Sequence, residues 1–169
     1  MEDRRARFER LYANYSPDIA MYALRRVDRE AAKDVVAETF TVAWRRLDDV
    51  PAEALPWLYG VARRVLANQR RSSRRLIALR RKLESDASGG PELCDPDLAD
   101  ALRALPDEDR EILRLVAWEG LTSAEAGTVL GCTASAARLR LRRARSRLAE
   151  ALGDADSEAP PEPAIEEVS

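Results

Sequence analysis

Apolar side chains recur at three- and four-residue steps through most of this chain, and the places where that rhythm breaks divide it into segments. Residues 4–15 put Phe8, Leu11, Tyr12 and Tyr15 on one stripe of an otherwise charged helix. Ser16-Pro17-Asp18 reads as a cap followed by proline at a first helical position. The spacing then predicts a second helix to about Val27, with Ile19, Tyr22, Ala23 and Val27 inward. Asp28 starts a third, whose apolar face is Val35, Val36, Phe40, Ala43, Trp44 and Leu47. Asp34 and Glu38, four residues apart, share its other face. Two prolines and a paired aspartate make DDVPAEALP, residues 48–56, a loop. A fourth helix follows from Trp57, with Leu58, Val61, Ala62, Val65 and Leu66 as its stripe. Four helices in the first 80 or so residues predict a compact all-helical domain.

The rhythm stops at ESDASGGPELCDPD, residues 84–97, where Gly-Gly-Pro and Asp-Pro favour a linker. Fully extended, such a segment spans roughly 45 Å, so the units it joins can lie well apart. From Leu98 the period returns. Leu98, Leu102 and Leu105 mark one short helix. Pro106-Asp107 opens another, which buries Ile112, Leu113, Val116 and Ala117 and ends at Gly120. Thr122-x-x-Glu125 is a capping box for a third short helix through Leu130. Gly131 lets the chain turn, and Thr133 caps a last helix of about 134 to 151. The end of the chain, GDADSEAPPEPAIEEVS, is acidic and proline-containing, the composition of a disordered tail.

Charge changes the picture, because the net value of −2 conceals segregation. Residues 54–83 hold nine basic residues and no acid, and residues 134–149 hold six arginines and no acid. Residues 84–111 carry ten acids against two arginines, and residues 153–169 carry six acids. Two basic blocks separated by an acidic one suggest two polyanion contacts. Histidine is absent, so histidine general-base chemistry, histidine metal ligation and a Ser-His-Asp triad are excluded. Cys94 and Cys132 lack metal-ligand spacing and read first as reduced thiols of a cytoplasmic protein, with a disulfide between them as the lesser alternative. The N-terminus MEDRRARFERLYANYS has no apolar core of a signal peptide, and no stretch is suited to membrane insertion. Neither an enzyme nor a cofactor is expected: there is no phosphate-cradling glycine loop and no metal spacing.

GLTSAEAGTVLGCTASAARLRLRRARSRL, residues 120–148, carries the clearest chemistry. A capped helix ending in Leu-Gly, a short turn and a longer basic helix make a helix-turn-helix. Ala137, Leu141, Ala144 and Leu148 form the buried stripe of the second helix. Arg138, Arg142 and Arg145 lie on one outer face, flanked by Arg140, Arg143 and Arg147. Its first turn, with Ala134, Ser135, Ala136 and Arg138, suits a major groove. There guanidinium pairs with guanine, and a small apolar side chain meets a thymine methyl. Arginines farther along suit phosphates. An ordinary solvated charged face would intersperse acids, and none appears before Glu150.

Three stretches, in order, resemble the extracytoplasmic-function (group IV) RNA polymerase sigma factors of the sigma-70 family. DREAAKDVVAETFTVAW is similar to their regions 2.1–2.2, and LPWLYGVARRVLANQRR to regions 2.3–2.4. LPDEDREILRL with the helix-turn-helix is similar to region 4. The resemblance implies two small helical domains: region 2 in residues 1–83, a linker in 84–97, region 4 in 98–152, and an acidic tail in 153–169. It implies that Asp34 and Glu38 meet the β′ clamp helices of core RNA polymerase, and that region 4 meets the β flap. Trp57, Arg63, Arg64, Asn68, Arg70 and Arg71 become candidates for the melted single strand of the −10 element. Ser135, Ala136, Arg138, Leu139, Arg142, Arg143 and Arg145 become candidates for duplex at −35. Trp44, Trp57 and Trp118 also lie on apolar stripes, where packing is their first expected role. An anti-sigma factor covering these surfaces is a further implied partner. The acids Glu84, Asp86, Glu92, Asp95 and Asp97 would pass along the polymerase channels, mimicking nucleic-acid charge.

This chain departs from the family at several of these places. Ala37 stands where glutamine is common, Arg64 and Asn68 where asparagine and aspartate are usual, and Ala136, Arg138 and Leu139 where threonine, lysine and serine are frequent. Positive charge is retained, while the promoter sequence does not carry over. Two other readings stand beside this one. A helix-turn-helix regulator would bind duplex without polymerase, and an adaptor would use both basic faces on acidic protein partners.

Overall fold

A computed structural model describes residues 3–80 and 96–157, and every regular element among them is helical. The first, α1, spans Arg4–Leu24 and runs straight through Pro17. The sequence predicted two helices here, with Pro17 opening the second. Proline lacks the N–H that would bond the preceding turn, so an internal proline weakens a helix locally. Packing on both sides of it holds the helix together: Phe8, Leu11 and Tyr15 lie against the core on one side, and Ile19, Tyr22 and Ala23 are buried on the other. Residues 3–80 therefore hold three α-helices and one turn of 3₁₀-helix rather than four α-helices.

Helix α2, Arg29–Arg45, starts where the Asp28 side chain accepts the Ala31 N–H at 2.9 Å. A 3₁₀ turn, Leu47–Asp49, leads to α3, Ala54–Arg80. The connection is pinned from α1. Arg4 donates to Asp48 at 2.8 Å and to the Trp44 carbonyl at 2.9 Å, and Arg7 donates to the Val50 carbonyl at 3.1 Å. Two aromatic residues expected inside stand partly in solvent. Trp44 is 41% exposed and Tyr12 46%, because their rings cover the rim of the core rather than enter it. Phe8 meets Trp44 edge-on at 5.2 Å, Phe40 meets Tyr12 at 4.8 Å, and the Arg4 guanidinium lies over Trp44 at 5.4 Å.

In the second half, α4 spans Pro96–Ala104, with proline at the first position, where its missing N–H costs nothing. Helix α5, Asp107–Ala117, opens with Asp107, Glu108 and Asp109, negative charges at the positive end of the helix dipole. Gly120 adopts φ +67° in the turn to α6, Ser123–Leu130. Helix α7 covers Ala134–Ser157, running past the expected end near residue 151. Residues 84–95 of the linker and 158–169 of the acidic tail read from the sequence lie outside the described residues, while 153–157 continue α7.

The two halves do not stand apart. Their buried apolar residues form one contiguous cluster, from Ile19 and Leu58 to Ile112, Val129 and Ala144. Helix α6 crosses α3 where Gly60 leaves room: a Cβ there would lie 3.8 Å from the Val129 Cα and carbonyl oxygen. Beside the crossing, the C-terminal end of α1 meets α5 through charged groups. Arg26 donates to both carboxylate oxygens of Glu111 at 3.1 and 3.2 Å, and to Glu119 at 2.9 Å. Tyr22 donates its hydroxyl to Glu111 at 2.9 Å, and Arg25 donates to Glu119 at 2.5 Å.

Candidate nucleic-acid interface

The helix-turn-helix is assembled by caps and close packing. The Thr122 hydroxyl accepts the Glu125 N–H at 3.3 Å, and the Glu125 carboxylate accepts the Thr122 N–H at 2.7 Å. These hydrogen bonds, the Thr122 hydroxyl first, hold the Glu125 carboxyl below its ordinary pKa. Gly131, at φ +71° and ψ 33°, ends α6 in the left-handed region that a Cβ disfavours. Thr133 then caps α7 by accepting the Ala136 N–H at 3.2 Å. Helix α6 and the turn approach closely at Gly127, whose missing Cβ would lie 2.9 Å from the Cys132 carbonyl oxygen. Ala126, Val129, Ala137, Leu141 and Ala144 close the space between the helices.

With that face buried, α7 turns its other side outward. Ser135, Ala136, Arg138, Leu139, Arg142, Arg143 and Arg145 are all exposed on it. Leu139 is 43% exposed, a large apolar side chain among guanidinium groups. Arg138 donates to the Ser135 hydroxyl at 3.5 Å, which ties two candidate base contacts together. The flanking arginines are spoken for by α5: Arg140 pairs with Glu108 at 2.9 Å, and Arg147 with buried Asp109. Acids counted with the linker in the sequence thus belong partly to a packed helix that neutralises the edge of the basic face.

On the first half, Arg64, Asn68, Arg70 and Arg71 are exposed along α3, and Arg63 is half-buried toward the end that packs on α6. Trp57, at the start of α3, is half-buried against the core, so packing takes most of its surface. Asp34 and Glu38 are exposed on one face of α2. Beside Asp34, an open groove of about 390 Å³ runs between α1 and α2. Leu24, Val36 and Ala37 line it, with Arg29 and Lys33 at its edge. Sequence reading missed this groove, since it depends on the angle between two helices rather than on either one.

It also missed the charged contact between the halves. Arg26 and Glu119 each keep 2% of their side-chain surface in solvent. Burial works against the charge on Arg26, but Glu111 and Tyr22 outweigh it, and the pKa is raised. Burial, then Glu111, pushes the Tyr22 hydroxyl well above its ordinary value. In the sequence, Arg25-Arg26 is an unremarked pair at the end of an apolar helix, and Glu111 is one acid among ten. Among the described residues, no group of three or more acidic, cysteine or histidine side chains is placed to hold a metal. None of the described helices is long and apolar enough to cross a membrane.

Comparison with known proteins adds to this geometry. Residues 11–76 match the family model of Sigma-70 region 2, and residues 97–148 that of Sigma-70, region 4. Over 146 residues the chain is 34% identical to the ECF RNA polymerase sigma factor SigL of Mycobacterium tuberculosis, covering 78% of this chain and 80% of that one. It is 31% identical over 160 residues to the RNA polymerase sigma factor CarQ of Myxococcus xanthus, covering 89% and 92%. Among solved structures, CnrH in complex with the cytosolic domain of CnrY superposes with a TM-score of 0.62 at 26% identity, over 93% of this chain and 92% of that one. The fold is shared too with the sigma factor RpoE in complex with the anti-sigma factor NepR from Bartonella quintana, at a TM-score of 0.68 and 24% identity over 86% and 96%.

Proposed function

The chain belongs to the extracytoplasmic-function RNA polymerase sigma factors of the sigma-70 family, and from that premise we infer how each of its surfaces is used. As a member of that family it associates with core RNA polymerase and directs transcription initiation at promoters. Residues 1–83 act as region 2 and residues 98–152 as region 4, joined by 84–97 and followed by the acidic segment 153–169. Helix α7 enters the major groove of the −35 duplex. Ser135, Ala136, Arg138 and Leu139 face base edges, while Arg142, Arg143 and Arg145 hold phosphates. The observation that carries this reading is the division of α7 itself: Ala137, Leu141 and Ala144 are buried, and every candidate contact is exposed on the opposite side.

Arg63, Arg64, Asn68, Arg70 and Arg71, with Trp57 at the mouth of α3, receive the melted −10 strand, where a basic surface tracks phosphates. Asp34 and Glu38 pair with basic side chains of the β′ clamp helices, with the adjoining groove taking an apolar side chain, and region 4 rests on the β flap. Two contacts on one polymerase raise each other's effective concentration, so neither has to be tight alone. The chain itself does no chemistry; nucleotide addition belongs to the polymerase, and the site of action is the cytoplasm. An anti-sigma factor is the third partner, a reading supported by the likeness to CnrH, which is solved with the cytosolic domain of CnrY.

Co-migration with bacterial core RNA polymerase tests the reading directly. The natural chain is expected to associate with core and to support transcription from a promoter library. Asp34→Lys with Glu38→Lys is expected to weaken core association at least tenfold while leaving the helical spectrum intact. Tight, selective binding of duplex DNA with no association with core would overturn it in favour of a conventional regulator.

A further inference from the structure

Helix α7 carries two parallel strips on its outer side, and together they limit which base edges it can match. Ser135, Arg138 and Arg142 follow one another at three- and four-residue steps and form a polar strip. Ala136 and Leu139 form an apolar strip beside it, with Leu139 43% exposed. Arg138 is the one arginine among residues 134–139, and Arg142 stands about 6 Å farther along the helix axis. The first turns of a recognition helix are the part that reaches base edges, so one guanidinium and one apolar strip meet them.

What the helix lacks narrows the choice further, because each base edge in the major groove asks for a different group. Adenine pairs with an amide, which donates and accepts at once, and residues 134–149 hold no asparagine or glutamine. Cytosine offers an N–H and asks for an acceptor, and the same residues hold no carboxylate. Glu108 and Asp109 of α5 are engaged by Arg140 and Arg147. The Ser135 hydroxyl, the one side-chain acceptor in the first turn, takes an N–H of Arg138 at 3.5 Å. Two matches remain. Guanine O6 and N7 accept a guanidinium fork, and a thymine methyl meets an apolar side chain. Arg138 keeps enough N–H groups for such a fork after its bond to Ser135.

We propose that α7 is restricted to guanine and thymine: Arg138 reads one guanine, Leu139 with Ala136 reads thymine methyls beside it, and no side chain reads an adenine or cytosine edge. This restriction rests on the reading that α7 lies in the −35 duplex, and it adds the bases that this chain selects. Arg138 and Leu139 are consecutive, so the guanine and the first thymine belong to neighbouring base pairs. Adenine and cytosine are then specified only through the partners they pair with.

The full chain, reconstituted with core RNA polymerase and allowed to select −35 sequences from randomised duplex, supplies the element for the test. Within it, 7-deazaguanine removes the N7 acceptor of one guanine at a time and leaves base pairing intact. At one guanine, binding is expected to fall about two- to tenfold, since one of the two hydrogen bonds of the fork is lost. With Arg138→Ala, an exposed position whose helical content is checked, the same replacement is expected to cost nothing further. A thymine is expected in a base pair next to that guanine, and 7-deazaadenine is expected to be neutral at every position. Equal losses in the natural and Arg138→Ala chains, a guanine with no thymine beside it, or a loss with 7-deazaadenine would each overturn the restriction. The sigma-factor reading would stand in those cases, because the holoenzyme has formed and chosen a sequence. A chain that fails to bind core counts against that reading instead; the duplex it selects alone then carries the same replacements and decides the restriction. Selection of no sequence in either form would overturn both.

Discussion

Alanine at Gly127 perturbs the helix-turn-helix at its tightest point, and the contacts there fix the sign of the effect. Any glycine in a helix interior gains about 1 kcal/mol of helix propensity on becoming alanine. Gly127 and Gly60 share that gain, so the surroundings decide between them. At Gly60 the new methyl meets the Val129 backbone at 3.8 Å, an ordinary contact, and the substitution is expected to stabilise by up to about 1 kcal/mol. At Gly127 it would lie 2.9 Å from the Cys132 carbonyl oxygen, 3.3 Å from that of Thr133 and 3.4 Å from the Ala137 Cβ. The two oxygens belong to the turn itself and cannot rotate aside. Overpacking of this kind costs about 1–3 kcal/mol, which exceeds the propensity gain over most of its range. Gly127→Ala should therefore lower stability by roughly 1 kcal/mol and tilt α7 away from α6. Urea unfolding followed by far-ultraviolet circular dichroism reads the first effect as a lower midpoint at unchanged slope. Binding to a −35 duplex reads the second. A Gly127→Ala chain as stable as Gly60→Ala would refute the reasoning, since the two differ only in what the methyl meets.

Two further outcomes follow from single side chains. If Leu139 reads a thymine methyl, replacing that thymine by deoxyuridine removes about 0.8 kcal/mol of apolar burial, or about fourfold in affinity. The loss should appear with the natural chain and vanish with Leu139→Ala; equal losses in both would remove Leu139 from base reading. The Tyr22 and Tyr59 rings meet at a tilt with centroids 5.1 Å apart, and burial first, with Glu111 and Glu119 after it, raises both hydroxyls. Their neutral forms are favoured in the folded state, whereas an unfolded chain ionises tyrosine near pH 10. The stability they add is complete below about pH 10 and is lost as pH rises above it. Tyrosinate absorbance for these two of the four tyrosines should appear only together with loss of helical signal. Ionisation of all four with the helices intact would refute the assignment.

The elements that were legible in the sequence are those whose signal is local. The capping box at Thr122 and Glu125, the left-handed turn at Gly131 and the Thr133 cap each need only neighbours within a few residues, and all three appear as read. The stripe of α7 was legible for the same reason, and with it the side on which the candidate arginines lie. Pro17 misled because local chemistry favours a break there, whereas the buried side chains on either side of it hold one continuous helix. Trp44 misled because helical spacing gives the direction of a side chain but not the depth of the core it reaches. The contact of Arg26 with Glu111 and Glu119 spans 85 and 93 residues, and no periodicity carries information over that distance.

With Arg138 facing base edges on the proposed reading, the pairing of Arg140 with Glu108 and of Arg147 with Asp109 would leave Arg142, Arg143 and Arg145 to meet phosphates. Each phosphate neutralised releases condensed counterions, so the number of free arginines sets how steeply duplex affinity falls with salt. Between 50 and 200 mM salt, three contacts imply a fall of roughly fortyfold, and five would imply about five hundredfold. The acids at the start of α5 thus trade raw grip for tolerance. On the proposed reading they would keep promoter capture steadier as the ionic strength of the cell varies, and weaken attachment to the vast excess of DNA that carries no promoter.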